Sequence, residues 1–212
     1  MEFDLIQTDQ LLSTTRAVRK RLDFTKPVPR ELINQCLELA VQAPTGSNSQ
    51  TWRWLVIEDA EQRQALADLY RKGAGEYLTA AGEQANETGD AQTQRVFSSA
   101  IYLAEHLQEA PVHIIPCVQG RPPEPVALTL ASGLYGSIYP AIWSFQLAAR
   151  ARGLGTALTT LHLVHEKEAA EILGLPDDVL QVALLPLAYT KGTDFKAASR
   201  PPVADITHWD RW

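Results

Sequence analysis

The stretch "APTGSNSQTWRW", Ala43 to Trp54, decides how this chain is read. Before it, "RELINQCLELAVQA" follows Pro29 and sets Leu32, Ile33, Cys36, Leu37, Leu39 and Ala40 at helical spacing, which predicts a core helix ended by Pro44. After it, "WRWLVIED" reads as a strand. Between them lie only small or polar residues, Thr45 to Gln50. A plain connection needs fewer residues than this, whereas a surface that wraps a flat polar ligand needs about as many. Small side chains permit close backbone approach, and Asn48 and Gln50 offer the amide donors and acceptors that suit the edge of a planar heterocycle. Trp52 and Trp54 are expected to brace the fold.

Outward from this stretch, helices and strands mix without strict alternation. "AEQRQALADLYRKG" predicts a helix closing at Gly73, and residues 73–93 read either as weak helices or as a mobile lid. "QRVFSSAIYLAEHLQEA" predicts a helix, "PVHIIPCV" a buried strand and Gly120–Pro125 a loop. "YGSIYPAIWSFQLAARARG" has the length of a long helix, with Pro140 tolerable in its first turn. Then come a strand at "LGTALTTL", a helix at "EKEAAEILG" closed by Gly174, and a strand at "VLQVALLPLAY". The last stretch, "KGTDFKAASRPPVADITHWDRW", lacks periodicity and must lie across the body or a partner chain. The order favours one α+β domain spanning residues 1–212.

Composition narrows the function. A 212-residue chain with 45% hydrophobic residues can bury one sizeable core. Its net charge of −6 argues against a nucleic-acid partner. Cys36 and Cys117 sit among apolar residues and read as small core residues in a reducing compartment. The opening residues lack a basic-then-apolar leader pattern, and no run reaches the ~18 apolar residues of a membrane span, so a cytoplasmic location is expected.

Two further places could meet an anion. In "TTRAVRKRLDF", a helix would put Arg16, Arg19 and Lys20 on one face, either as a solvated basic face or as a phosphate site. Arg200, in "SRPPV", is stiffened by two prolines. Other chemistries fail. "GLGTAL" is no dinucleotide fingerprint, His162 and His165 lack a third metal ligand, and Ser47 and Ser49 lack a nucleophile elbow.

Taken in order, the early "RAVR", the long segment "KPVPRELINQCLELAVQAPTGSNSQTWRW", "GLGTALTTL", "LGLPDDVLQVALLPLAY" and the closing "SRPPVADITHWDRW" resemble the FMN-dependent nitroreductase family, in a variant similar to its actinobacterial branch. The resemblance covers nearly the whole chain. It implies a mostly antiparallel or mixed sheet flanked by helices, in an intertwined homodimer with a C-terminal extension and FMN at the subunit interface. It also implies ping-pong reduction of nitroaromatics, quinones or other electron-poor small molecules by NAD(P)H, no protein catalytic residue, and no metal. Dehalogenation, heterocycle dehydrogenation, or FMN holding without turnover are the alternatives within the fold. On this resemblance Arg16 and Arg19 (Lys20 if the register slips) and Arg200 hold the phosphate, with Ala17 and Val18 between them. Pro44, Thr45, Gly46, Ser47, Asn48 and Gln50 line the ribityl chain and ring from the second subunit, and Thr159, Thr160 and Leu161 pass the ring. Thr15 stands where many relatives have arginine, Ala17 where they have serine, and His162 and Leu163 where they have a glutamate–glycine pair.

Overall fold

Across residues 2–212, the computed structural model builds three layers, and the alternation along one strand explains them. The strands are β1 (Leu22–Asp23), β2 (Trp52–Ile57), β3 (Val112–Gln119), β4 (Leu154–Thr156), β5 (Val179–Gln181) and β6 (Leu185–Thr190). Every paired strand is antiparallel. Central β3 is paired to β2 along His113–Val118, and it meets both β6 and β5 because these occupy different segments, His113 facing Pro186 and Val118 facing Leu180. Successive side chains of a strand point to opposite faces. Accordingly Val112, Ile114 and Val118 enter one apolar cluster, while Ile115 and Cys117 enter the other.

Each cluster has its own helices. One face is covered by α2 (Arg30–Ala40) and α6 (Leu128–Ala151), through Ile33, Cys36, Ile138, Ile142 and Phe145. The opposite face is covered by α3 (Ala60–Ala74), α5 (Ala91–His106) and α7 (Glu166–Leu173), through Leu66, Tyr70, Leu103 and Ala169. Trp52 and Trp54 do brace this frame. The Trp52 indole donates to the Ser137 carbonyl at 3.0 Å, and Trp54 lies tilted against Phe145 with ring centroids 5.8 Å apart.

Several sequence expectations are corrected. A helix α1 (Leu5–Thr14), capped by Asp4, precedes the basic run and buries no residue. The helix at Arg30 stops at Ala40 rather than reaching Pro44. Of the two readings of residues 73–93 the helical one holds: α4 (Tyr77–Thr88) and the start of α5 are joined at Gly89 in a left-handed conformation, with Asp90 capping α5. Pro140 lies deep inside α6 instead of in its first turn, because the helix already begins at Leu128. A mid-helix proline removes one hydrogen bond and frees the carbonyl four residues earlier, that of Gly136. Both residues are exposed, so that carbonyl can be hydrated. The last predicted strand divides into β5 and β6, since Val182 turns its N–H to the Pro116 carbonyl at 2.9 Å. No described helix is long and apolar enough to cross a membrane.

Gly73 does not end α3; that helix runs to Ala74 and is capped by Gly75 at φ 46°. Gly73 instead marks a crossing, because a Cβ there would run into the Leu161 backbone carbonyl and lie 3.3 Å from Val164 Cβ. Gly73→Ala should therefore lower unfolding free energy by about 1–3 kcal/mol in urea titration, despite alanine's better helix propensity. Unchanged stability would show that the crossing has slack.

Candidate functional site

The basic run is not a helix. Thr15 ends α1 in an extended conformation, Ala17 bridges Thr156 in parallel, and the Val18 N–H donates to the Thr156 carbonyl at 2.8 Å. Tertiary pairing overrides local spacing here because Val18 and Leu22 gain burial. Gly155 makes room for them, since a Cβ at that position would sit 3.0 Å from Val18 Cβ and 3.1 Å from Leu22 Cδ2. Val18 is thus committed to the core, while Ala17 stays exposed.

What the pattern placed on one face, the bridge distributes differently. Arg16 donates to the Lys196 carbonyl at 2.9 Å, Arg19 to Ser99 Oγ at 3.3 Å and Lys20 to Ser98 Oγ at 2.7 Å. Among the described residues none of the three has a carboxylate partner, whereas adjacent Arg21 pairs with Asp194 at 2.6 Å. Arg19 is half-buried, and burial lowers its pKa. Beside it, burial raises the Tyr70 phenol, against the opposing effects of Thr159 and Arg19. An uncompensated cation in such a place is a group waiting for an anion.

Residues Thr159, Thr160 and Leu161 lie along the same edge. The expected strand through them ends at Thr156, and a single bridge resumes at Thr159, whose N–H and carbonyl both bond Leu184 at 2.9 and 2.8 Å. Leu161 then opens a 3-10 turn to His165. Both backbone groups of Thr159 are thereby committed to Leu184. His162 is fully buried, with neither ring nitrogen hydrogen-bonded. Burial pushes it down to about 4, against the pull of Glu166, and pushes buried His113 down to about 4 as well. No group of three or more His, Cys, Asp or Glu side chains placed to hold a metal occurs among the described residues.

The Pro44–Gln50 loop forms a second group. Ser47, Asn48 and Gln50 all adopt left-handed backbone conformations, with φ of 53°, 53° and 47°. Each such non-glycine residue costs of order 1 kcal/mol or more and persists only where surroundings enforce it. The enforcement is visible. Gly46 N–H donates to Ser137 Oγ at 3.0 Å, Gln50 N–H to Thr45 Oγ1 at 3.3 Å and Gln50 Nε2 to Asn48 Oδ1 at 2.9 Å. A cleft of about 610 Å³ opens beside it, lined by Gly46, Ser47, Arg121, Leu130 and Ser137 among others.

Within one chain the two groups stay apart. Ser137 anchors the loop, and Gln146 donates to Thr156 Oγ1 at 2.8 Å beside the basic run. Both lie on α6, so the anchors are separated by roughly 14 Å along the helix axis. The tail is tied down first. Phe195 lies between the guanidinium groups of Arg21 and Arg150, at 4.1 and 4.5 Å, and Arg16 holds Lys196. Arg200 itself is exposed and bonds only the Ser199 carbonyl, at 3.2 Å. Sequence reasoning missed Ser137, Tyr70, Ser98 and Ser99. Ser137, a hydroxyl in the apolar half of a helix, was the detectable one.

The sequence model of the nitroreductase family matches residues 12–189. A chloronitrobenzene nitroreductase of Comamonas testosteroni is 29% identical, over 85% of this chain and 86% of its own length. A Bacillus subtilis (strain 168) protein carrying the name NAD(P)H nitroreductase YdgI is 24% identical, over 97% of this chain and all of its own. Among solved structures, oxidized iodotyrosine deiodinase bound to FMN and 3-iodo-L-tyrosine superposes with a TM-score of 0.71 at 20% identity, covering 96% of this chain and 99% of that one. The fold is the nitroreductase-like α+β fold.

The buried histidines predict a pH dependence. Both stay neutral when folded down to about pH 4, while in the unfolded chain they take up protons near 6.5. Their contribution is complete above 6.5 and is lost as pH falls towards 4, by up to roughly 3 kcal/mol each. Urea midpoints measured from pH 7.5 to 4.5 should fall, and His162→Asn should flatten the slope; a level profile would refute this.

Proposed function

This chain belongs to the nitroreductase family and is by that membership an oxidoreductase, and we propose that it holds FMN in a homodimer and turns over with NAD(P)H. The observation that carries the reading is the set Arg16, Arg19 and Lys20, cations without a carboxylate in an acidic chain. A phosphate of charge near −2 relieves their repulsion. Arg16 and Arg19 grip it, and Arg200 closes over it from the tail that Phe195 anchors.

Bound FMN supplies two-electron exchange, alternately with a nicotinamide donor and with an electron-poor acceptor such as a nitroaromatic or quinone. The chain's own residues bind and orient. Ala17 lies between the phosphate cations, Thr160 and Leu161 flank the ring, and backbone donors beside it would favour negative charge on it. Pro44, Thr45, Gly46, Ser47, Asn48 and Gln50 come from the second subunit, with the Asn48 and Gln50 amides linked to each other at 2.9 Å. The α4–α5 hairpin serves as the lid that excludes water.

Two observations favour the dimer. The loop and the cations are separated along α6 in one chain, so a second copy is needed to complete a site. In addition, α6 exposes Tyr135, Tyr139 and Trp143 at successive helical turns, and the tail exposes Val203, Ile206, Trp209 and Trp212, the last at 99%. Apolar faces of this extent favour burial against a partner.

Anaerobic mixing with NADH and then NADPH should bleach the flavin absorbance, and a nitroaromatic, quinone or iodinated phenol should restore it. Failure of both nucleotides would favour flavin holding without turnover. Arg16→Ala and Arg200→Ala should each weaken FMN retention about tenfold. Light scattering should still give twice the 23.4 kDa chain mass for both variants. Wild-type protein running as a single 23.4 kDa chain would overturn the dimer.

A further inference from the structure

Resting on the reading of residues 16–20 as the flavin-phosphate site, we propose that Ser98 and Ser99 of α5 belong to that site, and that the phosphate is what docks the α4–α5 hairpin. Lysine and arginine side chains can only donate. In the contacts Lys20–Ser98 and Arg19–Ser99 the serine oxygens therefore accept. Ser99 spends its own hydrogen on the Val96 carbonyl at 2.8 Å, which fixes it as an acceptor that orients Arg19. Ser98 donates to no described residue and is exposed, so its hydrogen is free for an anion held by Lys20 and Arg19. Ser98 is thus the direct ligand and Ser99 the positioning residue.

The same contacts govern the hairpin. From Ala91 to Tyr102, α5 has no fully buried residue; its buried positions, Leu103 and Ala104, lie in the last turns. The N-terminal half rests on partly buried Phe97, Ala100 and Ile101 and on the two hydroxyl–cation contacts. Those contacts hold a helix against two like charges that have no carboxylate nearby. An anion between them removes the repulsion and gives Ser98 a second bond. A flavin lacking phosphate does neither. Occupancy of the phosphate site and closure of the hairpin are one equilibrium.

FMN and riboflavin, which differ by the phosphate, separate these ideas. Affinity by flavin fluorescence quenching and backbone hydrogen exchange across residues 77–106 are measured for wild type, Ser98→Ala/Ser99→Ala and Ser98→Thr/Ser99→Thr. Alanine is the better helix former at both positions, so the first variant should fold. In wild type, FMN should slow exchange in residues 91–100 more than riboflavin does. The alanine pair should erase that difference and weaken FMN about tenfold while leaving riboflavin binding unchanged. The threonine pair, which keeps the hydroxyls, should restore it. An alanine pair that binds FMN as wild type does, with equal protection by both flavins, would overturn the inference and leave the phosphate site standing. Wild type that prefers FMN to riboflavin by no measurable factor would instead sink the phosphate reading itself, and this inference with it.

Discussion

The close approach of Val18 to Gly155 is the contact on which the site depends. It pulls the segment after α1 out of helix and pairs Ala17 with Thr156. Three consequences follow from that one packing event. Arg16, Arg19 and Lys20 leave a common helical face and spread over the tail and α5. The turn at Thr160–Leu161 comes to lie along the same edge. Arg21 is turned away to Asp194 and Phe195, where it holds the tail instead of an anion. A side chain at Gly155 would separate these elements.

Helix α6 is the second organising element. Through Phe145 and Ile142 it forms one wall of the core, and through Ser137 and Gln146 it holds both functional segments. Its stiffness keeps the Gly46–Gln50 loop and the basic run at a set distance in one chain. The strain in that loop has the same source, since Ser137 and Thr45 lock three left-handed residues that would relax elsewhere.

Polar burial separates structure from chemistry in this protein. His113 and His162 are neutral, buried and remote from solvent, and Cys117 is pushed up to about 12 by burial. Such groups are poor nucleophiles and poor acid–base catalysts near neutral pH. Under the proposed reading, reactivity falls to the bound flavin, and the protein contributes charge, shape and access.

The α+β class, the core helix at Arg30, the buried strand at Val112 and the irregular segment after Ala43 were legible in the sequence, because they rest on hydrophobic period and on local turn chemistry. The family was legible too, since its motifs are short and keep their order. The state of residues 15–21 was not, because helical spacing of cations is a local signal, and the burial that overrode it comes from β4, over 130 residues later. Nor was Pro140's position, which depended on where α6 began, or the contacts of Gly73, Ser98 and Ser99. Period and propensity act within a turn or two of the chain, and so sequence set the elements and their chemistry. Which cations meet which hydroxyls was decided by packing between segments far apart, and only the tertiary structure holds that information.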